Sequence, residues 1–531
     1  MKRREMVKLV GGAWAGTAYF GNPLAGLAAA AKPRLRAAAC RFGLDVEIGA
    51  ATHGRTGAKV QRVAGPLMTT AILIEDGGRR ICLVASDLRV EMKNVNMLLK
   101  AEASKALGLD AERVVFCASH DHSVPKLAEV EVRDADLPPL NPGEVPEVKL
   151  YPAGERFVSA LKKNLATLPE ALEPVTVHWT QGEEGRITYN RKGRRADGST
   201  YFMREEDRQL VGRDFNGDIE REVPVVVLND MDGGAVAAIL QFTGHPVTSY
   251  HPENFTMFGD YPAVAADVLG KALGGTGAPV PVAFLQGCAG DSNSKHMLSG
   301  DVDKARLYGE MLGGSAIEAL KRLRPSKLDG MDYAEKTAVI PLRPLPARAV
   351  LEAEIAEMRD FVRRAEAGDE NTLSCVGLNF PRALSAKYRG ALVSLPMGWN
   401  ERALAQYARG REKDVPSALD VPVYVLRLGD VGIVGMPFEP FMGIGRRIRA
   451  NSPCALTIPC GYTNGAYGYV TDAPNTGGRE YMSSFYRYTR CLPPFAKPAG
   501  DVVADRAAET LRGFEPLTIT TFSGSAVGVP S

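Results

Sequence analysis

The chain predicts an α/β fold: mixed β-sheets flanked by helices, with a helical insertion around residues 345–415. Three observations carry this expectation. Short apolar runs, such as 113–118, 235–243 and 282–286, have the length and β-branched content of buried strands. Patterns with helical spacing, such as 94–107, 261–273 and 301–323, alternate with them. Turn clusters separate neighbouring runs, as in Asp76-Gly77-Gly78 and Asp230-Met231-Asp232-Gly233-Gly234. No repeat or low-complexity linker divides the 531 residues, which favours one large domain.

The elements follow in order. Residues 35–46 read as a first strand, and 68–75 with 80–86 as a hairpin. A helix over 94–107 closes at Gly108, and 113–118 is the next strand. Residues 125–150 are Pro-rich and acidic, a loop over or near a site, and 155–168 is helical. Strands are expected at 175–180, 225–229, 235–243 and 282–286, with helices at 261–273 and 301–323. Charged helices at 345–367 and 399–415 make the insertion. A hairpin pairs 423–428 with 431–436, a helix starts over 439–449, 456–462 is a strand and 502–511 the last helix.

Residues 1–30 read differently. Lys2, Arg3 and Arg4 precede a weakly apolar Gly/Ala-rich stretch that ends in Ala28-Ala29-Ala30, the pattern of an export signal of twin-arginine type. This places the mature protein in the periplasm or outside the cell. The leader holds four of the 64 basic and one of the 62 acidic residues, so its removal leaves a charge of about −1. That balance gives no argument for nucleic acid or for an anionic membrane. No stable membrane span is expected in the mature chain. The eight cysteines include no CxxC pair, so a structural zinc cluster is excluded; a disulfide from Cys454 or Cys460 to Cys491 stays open.

The chemistry concentrates at strand ends. Cys117-Ala118-Ser119-His120-Asp121-His122-Ser123 leaves an apolar strand, and two imidazoles at i and i+2 face one side if the chain stays extended. His245 follows the 235–243 strand, and Gln286-Gly287-Cys288-Ala289-Gly290-Asp291-Ser292-Asn293 leaves another. Glu439 lies just beyond the 431–436 strand, ahead of Gly461 to Val470. Two or three histidines plus one carboxylate, with a position left open, is the ligand set of a catalytic zinc. Each residue also has a bland reading: a hydrogen-bonded loop histidine, a helix-start carboxylate, a solvated arginine or a packed tyrosine.

Taken together these segments resemble the catalytic domain of neutral (alkaline, non-lysosomal) ceramidases, a family of zinc amidases. Ser119 to Ser123 is similar to its S/T-H-T-H-S segment and Asn190-Arg191 to its N-R-S-P segment. Gly259-Asp260, Gln286 to Asp291, Pro437-Phe438-Glu439 and Asn464 to Thr471 follow its S-G-D, Q-x-x-x-G-D, P-x-E and N-x-Y-x-x-Y-x-T elements, in the same order. The resemblance implies a catalytic domain over 37–515, without the family's C-terminal immunoglobulin-like domain. It implies Zn2+ held by His120, His245, Glu439 and a tyrosine near 467. The N-x-Y tyrosine position is Ala466 here, so Tyr467 is the expected ligand, with Tyr469 or water as alternatives. It further implies that His122 and Arg191 contact the scissile group and that Tyr481 lies close by. Asn293 takes the place of the family's site serine.

The functional expectation is an exported zinc hydrolase that cleaves the amide of an N-acyl, sphingosine-like substrate. The same scaffold working on a carbohydrate or other polar substrate is the alternative, and an inactive metal-binding protein the second. The partner is therefore a small-molecule, lipid or glycan substrate.

Overall fold

The computed structural model describes residues 33–53, 57–89, 92–138, 144–212, 214–490 and 492–519. The expected export signal at 1–30 lies outside them, as does Cys491.

Three sheets share one plan of four long strands each, and the two-residue strands Glu173–Pro174 and Arg324–Pro325 add an edge to the first and second. The first sheet contains β1 (Leu35–Leu44), β2 (Leu67–Asp76), β3 (Arg79–Ser86) and β4 (Val114–Ala118). The second contains β5 (Thr176–Glu183), β6 (Glu222–Asn229), β7 (Ala235–Phe242) and β8 (Val282–Gln286). The third contains β9 (Met331–Pro341), β10 (Ala418–Leu428), β11 (Val431–Gly435) and β12 (Leu456–Cys460). In each sheet the four strands lie side by side in chain order. The first three pair antiparallel and the last joins parallel. A parallel pair needs a crossover, and each has a helix. These are α1 (Lys93–Leu107), α3 (Asp260–Gly274) and α7 (Met442–Asn451). A second helix follows each sheet: α2 (Pro152–Leu165), α4 (Val302–Leu320) and α8 (Asp501–Arg512). It packs against the crossover helix of the same sheet. No repeat is visible in the residues, yet the element order occurs three times.

Alternation of side chains explains the layers. Ile72 and Ile74, Ile239 and Leu285, and Ile433 and Ile458 point inward from the three sheets into one central core. The intervening residues point outward: Leu73 against α1 and α2, Leu240 against α3 and α4, Val434 against α7 and α8. Because both faces are buried, these strands read as continuous apolar runs.

The insertion consists mainly of α5 (Arg348–Glu366) and α6 (Ala386–Ala408). They have their own cores, one around Met358 and Val393 and one around Leu351 and Trp399.

Three expectations need correction. The second insertion helix begins at Ala386, not near 399, and continues through Pro396. Strand β9 was not expected. It is the edge of its sheet, and exposed Glu335, Lys336 and Thr337 break its apolar pattern. Glu439 does not start a helix: Glu439–Pro440 is a short strand paired in parallel with Tyr469–Val470, and α7 begins at Met442.

Candidate metal centre

Each sheet delivers one polar side chain to a common point. His120 follows β4, His245 follows β7 and Glu439 follows β11. Their approach is fixed by backbone hydrogen bonds. The His120 amide donates to Leu88 O (3.1 Å), the His245 amide to Ser292 O (3.0 Å) and the Glu439 amide to Gly468 O (2.9 Å). His120 lies at φ +64°, so the expected extended backbone is absent there. Tyr462 and Asn464 also have positive φ, and such conformations cluster where surrounding structure holds a site in place.

Close packing puts the backbone of residue 290 against that of Glu439. A Cβ on Gly290 would lie 2.5 Å from the Glu439 carbonyl, and only glycine allows that approach.

Four donor atoms converge. Glu439 Oε2 lies 3.0 Å from His245 Nε2 and 3.2 Å from His120 Nε2. The Tyr469 hydroxyl lies 3.3 Å from His245 Nε2. His122 Nε2 stands 3.2 Å from His120 Nε2, its ring nearly perpendicular to that of His120. Among the described residues, His120, His122 and His245 form the one group of three or more His, Cys, Asp or Glu able to share an ion, their donor atoms lying within 4.8 Å of one another.

The protonation pattern favours a cation. His245 Nδ1 faces two acceptors, Ala289 O (2.7 Å) and Ser292 O (3.2 Å), so its hydrogen sits there. The Nε2 lone pair is then turned toward the Glu439 carboxylate. Burial, and Arg191 beside it, push the His245 imidazole down to about 3, so a second proton is not held. Arg191 Nη2 is 3.2 Å from the same Nε2, but spends its two hydrogens at shorter range on Gly290 O (2.7 Å) and the Tyr469 hydroxyl (2.8 Å). His245 Nε2 and a carboxylate oxygen thus face each other at 3.0 Å in a buried place, a gap that a shared proton or a cation can bridge. Donors about 2.0–2.1 Å from a tetrahedral zinc lie about 3.3 Å apart, which matches the 3.0–3.3 Å found. A hydrogen bond from Nδ1 to a carbonyl is also the usual support of a ligating histidine.

The remaining electrostatics couple the imidazoles to the carboxylate. Burial holds His120 down, and burial together with His120 holds His122 well below the usual histidine range. Burial works to raise the Glu439 carboxyl, but the imidazoles, His120 foremost, hold it well below its usual range. The His120 ring lies flat on Tyr462, centroids 4.3 Å apart, while its Nδ1 has no hydrogen-bond partner among the described residues.

The expected site residues are placed as follows. Arg191 is buried, and its Nη1 donates to Asn293 Oδ1 (3.0 Å). The Tyr481 ring packs edge-on against Tyr469, 5.4 Å between centroids. Tyr467, the expected fourth ligand, is not brought to the cluster. Its ring packs on Phe438 in the core under the third sheet, and Tyr469 takes the position instead. Glu439 and Tyr469 are register partners in the short parallel pair, which explains the exchange. The seven described cysteines are free thiols.

A cavity of about 770 Å³ opens onto this cluster, with His122, His245, Arg191, Asn293, Tyr469 and Tyr481 in its wall. The insertion also contributes to the wall, with Leu378, Phe380, Leu384, Leu392 and Leu395. Arg89, Arg133 and His53 also line it. Sequence patterns gave no signal for the two arginines, which stand singly in loops.

No family model and no curated relative matches the sequence. Solved structures do. A ceramidase complexed with C2 superposes with TM-score 0.61 at 16% identity, over 93% of this chain and 78% of that one. The fold is that of neutral ceramidase. The neutral ceramidase from Pseudomonas aeruginosa matches at TM-score 0.58 and 17% identity, over 93% of this chain and 77% of that one.

Proposed function

We propose that the protein is a zinc-dependent amide hydrolase acting on an N-acyl substrate. The observation that carries this is the convergence of His120, His245, Glu439 and Tyr469 donor atoms, with His245 Nε2 and Glu439 Oε2 3.0 Å apart, beside a large cavity that His245 and Tyr469 line. His120, His245, Glu439 and Tyr469 would hold the ion. Zinc in such a place supplies a Lewis acid and makes water acidic near neutral pH.

The chain's own residues do the rest. His122, neutral and in the cavity wall, takes the proton of the attacking water and returns it to the leaving nitrogen. A C–O bond forms, the C–N bond breaks, and a carboxylic acid and an amine leave. Arg191 holds the Tyr469 hydroxyl and the Asn293 side chain in place. Asn293 and Tyr481 orient the substrate from the wall. The aliphatic row Leu384, Leu392 and Leu395 favours an acyl chain over a sugar. The cavity onto the cluster favours an enzyme over an inactive metal binder.

Export through residues 1–30 is part of this proposal. Among the described residues no helix is long and apolar enough to cross a membrane. Product analysis with N-acyl amines, with and without chelator, tests the activity. Release of acid and amine should stop on chelation and return with Zn2+. Undiminished release after complete metal removal would end the proposal.

A further inference from the structure

The cavity wall is strongly cationic away from the metal cluster. Arg89, Lys126, Arg133, Arg402 and Arg490 line it. Among the described lining residues two carboxylates, Glu131 and Asp136, face them. Both are engaged. Glu131 lies 3.5 Å from His53, and Asp136 accepts the Arg490 amide at 2.6 Å. Arg402 is spent on the backbone carbonyls of Arg490 and Thr489.

Two more cations complete this wall. Arg133 is held over the Phe485 ring, 5.0 Å from its centroid. Arg89 follows Leu88, whose carbonyl anchors His120, and its Nε is buried with no hydrogen-bond partner among the described residues. A buried, unpaired guanidinium nitrogen is costly unless something accepts from it. Arg89, Arg133 and Arg191 line the same cavity as Tyr481.

A guanidinium fork matches a carboxylate in shape and charge, and positive charge in a cleft gathers anions. A neutral amino alcohol would leave Arg89 unmatched. We propose that the substrate is an N-acyl compound with a carboxylate on its amine side, seated between Arg89 and Arg133 while the acyl chain runs along Leu384, Leu392 and Leu395. This deepens, and rests on, the amide-hydrolase reading.

Three dodecanoyl compounds test it on the full chain loaded with Zn2+. They are N-dodecanoylglycine, N-dodecanoylethanolamine phosphate and uncharged N-dodecanoylethanolamine. Hydrolysis and calorimetric binding are both measured. The glycine conjugate should exceed the uncharged compound at least about 10-fold in kcat/KM, mostly through KM, as expected when one polar recognition element is matched. Arg89→Met should bring that ratio close to one, Arg89→Lys should keep part of it, and Arg133→Met should lower it as well. Equal kcat/KM for the two compounds, or a ratio unchanged in both methionine variants, overturns the anion site. Preference for the phosphate overturns the carboxylate. Anion-selective binding without cleavage sinks the hydrolase reading and leaves the anion site standing. Cleavage of all three alike does the reverse, and no binding by any compound ends both.

Discussion

The two walls of the cavity are built from different material. On one side, donors come from the ends of strands in three sheets that share a single core. On the other, a wall of leucines comes from loops and helices of an insertion that packs largely on itself. The sheet side holds atoms at ligand spacing because each donor follows a buried strand and is pinned by a backbone hydrogen bond. The insertion side joins the rest through hydrogen bonds and ion pairs to loops and short elements rather than through the shared core of the sheets. Among these are Tyr481 N–H to Gly377 O (3.2 Å) and the buried Arg487–Glu354 pair (2.6 Å). The donor cluster and the shape of the cavity are therefore built by separate parts of this molecule.

Substitutions on the two sides should give different signatures. His245→Ala should abolish the metal and lower amide hydrolysis about 1000-fold or more, since the Lewis acid goes with it; steady-state kinetics with added Zn2+ checks this. Glu354→Ala strands the buried Arg487 and takes a partner from Asn400 (2.9 Å). A loss of about 3–5 kcal/mol is expected in denaturant titration, with metal content unchanged in the folded fraction. Loss of metal from that folded fraction would break the separation of the two walls. Leu392→Glu places a charge among the leucines and should raise KM about 10-fold or more for a long acyl chain, again without touching the metal.

The smallest effect concerns pH. Asp87, between β3 and the His120 anchor, has its carboxyl raised by burial to about 7. The folded state then binds a proton that the unfolded chain, with its carboxyl near 3.8, has already lost. Stability should fall as pH rises from about 4 to about 7, by at most about 1.4 kcal/mol per pH unit. Asp87→Asn, which can still accept from the Met68 amide, should flatten that slope in pH-dependent thermal unfolding.

Much of this was legible in the sequence, for identifiable reasons. Strands buried on both faces announce themselves as apolar runs, and the ends of four of them carried His120, His245, Asn293 and Glu439. What could not be read depends on neighbours. Edge strand β9 is half exposed, and Pro396 obscured the run of α6. Tyr467 and Tyr469 are two apart, on either side of Gly468 at φ +94°, and spacing alone does not say which one turns to the histidine cluster. The threefold plan is written in strand order rather than in residues. Arg89 and Arg133 line the cavity because of where the loops bring them, which no local pattern encodes.

Elemental analysis of purified protein tests the central claim most directly. One zinc per chain is expected in the wild type and in His122→Ala, and close to none in Glu439→Ala. Full zinc in Glu439→Ala together with its loss from His122→Ala would contradict the account and assign the ion to the three imidazoles instead.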